Sequence, residues 1–261
     1  MTGGLASAPP SLLPSTYLQL LLVFGLPPLC LLVATAKAPS AERKWTLPLG
    51  IALLCAGVVA YATPWDNYLI AKGVWWFSAG AVGTRIWHAP IEDYLLFALI
   101  PVLTGLWLNR LPTASHRGLS IDHRNRLFGL VGGVAVGGLG WLLFAGRTYY
   151  LGGLLLWAAP LLAVQWTIGW PVLWDLRHTI QLGVWVPTVY LCVLDRIAIA
   201  LGVWRFDGAY LTGYGLFGLP VEEIAFFALM TLLVVQGLLL FWWITDRWAL
   251  TDERAAGASA G

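Results

Sequence analysis

Seven separate runs of predominantly apolar residues, each about 18 to 22 long, set the strongest limit on what this chain can fold into. A hydrocarbon core about 30 Å thick is crossed by a helix of roughly 20 residues, whereas a barrel strand needs only about ten and alternates in polarity. The core holds no water, so every backbone N–H and C=O in such a run must be satisfied within the protein, which a helix does by itself. The runs predict spans at 17–35, 47–63, 89–109, 127–145, 150–170, 182–203 and 221–244. Charge agrees: Asp, Glu, Lys and Arg make up 11% of 261 residues, against roughly 25% in soluble domains, which excludes an ordinary water-soluble fold.

The sixteen residues before Tyr17 carry no Lys or Arg, which a secretory leader requires, so the first run is expected to remain a helix of the mature chain. Segments following spans one, three, five and seven hold ten basic residues (Lys37, Arg43, Lys44, Arg110, Arg117, Arg124, Arg126, Arg177, Arg247 and Arg254). The opposite side and its helix ends hold five: Lys72, Arg85, Arg147, Arg196 and Arg205. The positive-inside bias then predicts multi-pass insertion in the cell membrane, with the N-terminus outside and the C-terminus inside. The basic run 110–126 is expected to be a cytoplasmic loop near anionic headgroups. Cys30, Cys55 and Cys192 fall inside spans without the paired spacing of a disulfide or zinc set, and read as small core residues.

The chain also repeats itself. Asp66 to Phe77 reads DNYLIAKGVWWF and Asp195 to Phe206 reads DRIAIALGVWRF; Pro90 to Leu99 reads PIEDYLLFAL and Pro220 to Leu229 reads PVEEIAFFAL. The two blocks are offset by 129 and 130 residues, so one inserted residue in the second half keeps the register. This predicts an all-α polytopic protein of two three-helix units, 1–126 and 150–261, with a linking helix at 127–149. Matching elements are four helices apart, an even number, so the units run parallel and present their motifs on the same side of the membrane.

Pro90 and Pro220 suit the first turn of a helix, where a missing N–H costs nothing. Glu92, Asp93, Glu222 and Glu223 then occupy first turns, facing free N–H groups, with neighbours about 100° apart around the axis. One acid of each pair can therefore face the bundle and the other a loop. Asp66 and Asp195 close the preceding helices. A single acidic first turn would be read as a cap, or as a partner for Arg85, Arg196 or Arg205; a duplicated one points to function, because ionisable groups at membrane depth are costly to keep. Most of the sixteen Trp belong to interfacial belts. Trp75, Trp76, Trp87 and Trp204, with Tyr68 and Tyr94, lie close to the acids, where ring faces could stabilise a cation. His88 has Gly218 as its counterpart, so it does not read as a metal ligand. No nucleotide, flavin or metal motif is present, and no cofactor or nucleic acid is called for.

These residues resemble the integral-membrane lycopene cyclases, in particular the fused form of the two-subunit bacterial and archaeal type, related to the cyclase part of fungal bifunctional enzymes. The resemblance rests on Thr63–Phe77, on the two Pro-x-Glu-acidic motifs, and on Gly218 to Glu223 followed by Phe226 and Phe227. Glu92-Asp93 departs from Glu-Glu, and Leu96-Phe97 stands where the second half has Phe226-Phe227. The resemblance implies an isomerase (an intramolecular lyase) that closes acyclic carotenoid ends into β-rings by acid–base chemistry without net redox change. Its implied surroundings are membrane lipid, the carotenoid substrate and other carotenoid enzymes. Glu222 or Glu92 would donate the proton, with Glu223, Asp93, Asp195 or Asp66 orienting it or accepting the departing one. Trp75, Trp76, Trp204, Tyr68, Tyr94, Phe97, Phe226 and Phe227 would line the substrate. A carotenoid hydratase and a proton-coupled transporter remain as alternatives.

Overall fold

A computed structural model describes residues 14–36, 43–115 and 117–259. Lys37 and the outer ends of the two expected units, 1–13 and 260–261, lie outside the described residues. Seven helices are long and apolar enough to cross a membrane, as the runs predict. They are α1 (Tyr17–Ala34, with a π-helical turn at Leu21–Gly25), α2 (Arg43–Lys72), α3 (Ile91–Leu108), α4 (His123–Leu143), α5 (Tyr149–Asp175), α6 (Arg177–Ala200) and α7 (Val221–Ser259).

One boundary that bears on the site differs from expectation. The second helix does not stop near 63: it runs through Pro64 to Lys72, giving 30 residues or about 45 Å. A proline inside a membrane helix is tolerated where neighbouring groups take up the freed carbonyl. Asp66 therefore lies within α2, and Asp195 within α6, each more than a turn before the helix ends.

The core sits between α3 and α7, the most buried helices, with α2, α5 and α6 around them. The joining helix α4 is the least buried and packs on α5 through glycines. A Cβ at Gly133 would lie 2.4 Å from the Ala163 Cα, so only glycine lets these backbones approach so closely.

Short strands connect the helices. β1 (Trp75–Phe77) pairs with β4 (Trp204–Phe206), β2 (Arg85–Ile86) with β3 (Ala89–Pro90), and β5 (Gly215–Leu216) with β6 (Leu219–Pro220), all antiparallel. The first ladder joins the halves, with Trp75 opposite Phe206 and Phe77 opposite Trp204. Such a pairing is what a two-fold axis between two copies of one unit produces. Flanking bonds recur in the same sense: Ser78 N–H to Val203 O (3.0 Å) and Asp207 N–H to Val74 O (2.9 Å).

The other two ladders are hairpins leading into α3 and α7. Their tips hold Trp87 and Phe217, counterparts that both adopt left-handed backbone, at φ 60° and 52°. Asn67 accepts the N–H groups of His88 and Ala89 at 2.7 and 2.9 Å, while its counterpart Arg196 donates to Phe217 O at 2.7 Å. The inserted residue of the second half is Gly213, whose φ of 85° suits glycine.

Candidate active site

The acidic first turns are split by helical rotation. Glu92 turns back to accept the Gly83 N–H at 2.8 Å, and Glu222 accepts the Thr212 N–H at 2.7 Å. Both are buried and fasten the loop that precedes their own helix. The next residues, Asp93 and Glu223, face inward, about 100° further round the axis.

Those two acids meet Asp66 and Asp195 in one cavity of about 60 Å³. Asp66 lies against Asp93 and Asp195 against Glu223, so each half contributes one carboxyl pair. All four are nearly inaccessible, with exposures of 7%, 6%, 0% and 6% for Asp66, Asp93, Asp195 and Glu223. None of the six acids forms an ion pair with Arg85, Arg196 or Arg205 among the described residues; Arg85 and Arg196 donate instead to hairpin carbonyls.

The wall is aromatic and built across the halves. Trp204 donates its indole N–H to Asp195 at 2.9 Å and meets the Tyr17 ring edge-on at 4.8 Å. Its counterpart Trp75 packs on Tyr150 at 5.4 Å. The Tyr17 hydroxyl lies against Asp93, and that of Tyr150 against Glu223. Tyr17 and Tyr150 are themselves counterparts: the Tyr17 N–H donates to Ala81 O at 2.7 Å and the Tyr150 N–H to Tyr210 O at 3.2 Å, and Ala81 and Tyr210 are 129 apart.

Of the aromatic residues singled out from sequence, Trp75, Trp204, Phe97, Phe226 and Phe227 line the cavity. Trp76, Tyr68 and Tyr94 do not. Trp76 points outward, Tyr68 pairs with the Tyr149 hydroxyl at 2.5 Å, and Tyr94 donates to Ile86 O at 3.1 Å. Glu92 and Glu222 are likewise absent from the cavity wall. Sequence reasoning missed the wall aromatics Tyr17, Tyr150, Trp65, Phe77 and Phe206. A signal for the tyrosines existed in their matching places at the start of the first helix of each half. Among the described residues no group of three or more His, Cys, Asp or Glu side chains is arranged to hold a metal ion.

Fold and site together define a helical membrane protein whose duplicated halves enclose one acidic, aromatic-walled chamber. A sequence profile described as lycopene cyclase matches residues 14–111 and 146–241, leaving the whole of α4 in the gap. The chain is 43% identical over 235 residues to a lycopene beta-cyclase of Halobacterium salinarum, covering 90% of this chain and 99% of that protein. It is 32% identical over 202 residues to a bifunctional lycopene cyclase/phytoene synthase of Aspergillus niger, covering 72% of this chain and 34% of that protein. A protein of the same description from Arthroderma gypseum is 31% identical over 246 residues, covering 85% and 40%. The chain belongs to the lycopene cyclase family. No solved structure matches it.

Proposed function

We propose that this protein is a lycopene cyclase that converts acyclic ψ-ends to β-rings, giving γ-carotene, β-carotene or both. The observation that carries the reading is the convergence of four buried carboxyl groups, two from each half, on one chamber walled by aromatic rings. Ring closure is an isomerisation. A proton added at C2 of the acyclic end leaves a tertiary cation at C1. The C5–C6 double bond attacks that cation, and loss of the C6 proton restores a double bond. One general acid and one general base suffice, contributing about 10²–10⁴-fold in rate.

Asp93 and Glu223 are the acids we assign to proton transfer, each with its neighbour Asp66 or Asp195 as the second carboxyl of a pair. Two carboxyls in contact cannot both carry charge at low cost, so such a pair can hold one proton and one vacant acceptor. This moves the donor one residue along from Glu92 and Glu222, which serve as positioning residues for their loops. Trp204 orients Asp195. The rings around the chamber would stabilise the cation by ~1–2 kcal/mol each when desolvated and keep water from trapping it as an alcohol.

The wider organisation we propose keeps the units at 1–126 and 150–261 with 127–149 as joint. It also keeps the N-terminus outside and the C-terminus inside the cell membrane, and other carotenoid enzymes as partners. The distribution of Lys and Arg supports that orientation. The test of function is the pigment formed when the chain is expressed in a host that accumulates lycopene. A β-ring product is expected; an alcohol without a ring would make it a hydratase, and proton flux without pigment change would make it a transporter.

A further inference from the structure

The chamber of about 60 Å³ is far too small to hold the length of a long polyene. A second cavity, about 160 Å³, lies on the lipid-facing side between α1, α3 and α6. The same three helices border both. On α3, Leu96 lines the chamber, Leu103 and Trp107 line the second cavity, and fully buried Ile100 stands between them. These positions are spaced i, i+4, i+7 and i+11, one stripe of a helix. On α6 the stripe runs from Asp195 to Leu191, one turn away and about 6 Å along the axis. On α1, Tyr17 lies at the chamber and Leu31 at the groove.

The groove is chemically plain. Its two polar tips are already engaged: the Trp107 indole donates to Leu182 O at 2.9 Å, and the Tyr190 hydroxyl to Phe24 O. Nothing polar is left to recognise a headgroup, whereas exposed Leu31 and Val186 form an apolar lip. The matching place in the second half is filled. Gln165, the counterpart of Leu32, lies across it and donates to Leu233 O at 2.9 Å, where Leu233 is the counterpart of Leu103.

We propose that the α1/α3/α6 groove holds the hydrocarbon tail of the substrate while its end group occupies the acid chamber, with Ile100 as the partition the chain must pass. The proposal rests on the cyclase reading. The groove is the one-sided part of a site whose chemistry is two-fold, so it fixes the direction from which the polyene enters.

The test uses the full-length protein in membranes and two substrates, lycopene and a short acyclic polyene bearing the same end group. Leu31→Trp and Val186→Trp add bulk at an exposed lip without touching the chamber. Each is expected to slow lycopene conversion by about tenfold or more and leave the short polyene at the wild-type rate. Val164→Trp, at the counterpart of Leu31, is expected to change neither. An unchanged lycopene rate in both groove variants would overturn the proposal, and so would equal loss on both substrates in protein with a wild-type melting curve. Wild-type protein that forms no ring from either substrate would overturn the cyclase reading itself.

Discussion

Trp76 lies directly opposite Arg205 in the ladder that joins the two halves, and Arg205 is the residue that occupies the Trp76 position in the second half. A residue paired with its own counterpart marks the centre of a two-fold arrangement. Each half therefore reaches over the other: Trp204 packs on Tyr17, and Trp75 on Tyr150. The acid chamber is a product of that exchange and is shared, so damage to either half should be felt by the whole site.

The Trp204–Asp195 hydrogen bond has no equivalent bond between Trp75 and Asp66, which gives an asymmetric prediction. Trp204→Phe leaves a buried carboxyl oxygen without its donor, a cost of ~1–3 kcal/mol. Ring formation should slow by about tenfold. Trp75→Phe keeps its ring contact and should slow it less, as measured by initial rates in membranes of matched protein content.

Gly218 has φ 82°, and a Cβ there would sit 3.0 Å from Arg196 Nε. Gly218→Ala should lower stability by ~1–2 kcal/mol, read as a fall in melting temperature in detergent. Phe217→Gly next to it relieves a left-handed bulky residue that is 88% exposed, and should raise the melting temperature.

The α4–α5 contact predicts a stability effect without a chemical one. Gly133→Leu would drive a side chain into the Ala163 backbone and should cost about 1–3 kcal/mol or more, visible as reduced yield and a lower melting temperature. Folded molecules that remain should turn over at a rate per molecule close to wild type, because α4 lines neither cavity.

Protonation from a carboxyl group that exchanges with solvent has an isotopic consequence. Membranes equilibrated in heavy water before lycopene is added should yield product carrying one deuterium for each ring closed, located at C2. Mass spectrometry of product and recovered substrate checks this, and recovered lycopene should carry none.

Much of this was legible in the sequence. Seven apolar runs are unambiguous because hydrocarbon tolerates so few charges, and the two blocks around Asp66/Asp195 and Pro90/Pro220 expose the duplication. The phase of each helix was not legible. Within an apolar span no polar face reports which side is inward, so Glu92 and Asp93 could not be told apart until the Gly83 N–H claimed one of them. The same reason hid the outward turn of Tyr68 on α2, whereas Trp76 turns outward because it is the middle residue of strand β1, whose side chains alternate. Tyr17 and Tyr150 were missed because the first helices of the halves share little beyond those tyrosines and Pro27 and Pro160, at an offset of 133 that differs from the other two. Three-residue strands such as β1 and β4 carry too little pattern to predict a partner.

The most direct test compares Glu223→Gln with Glu222→Gln in membranes supplied with lycopene, scoring β-ring formation per folded molecule. Glu223→Gln removes a chamber acid and should fall by about 10²–10⁴-fold. Glu222→Gln keeps an oxygen to accept the Thr212 N–H and should retain most of the wild-type rate. Full activity in Glu223→Gln together with loss in Glu222→Gln would place the proton donor outside the chamber and contradict the assignment.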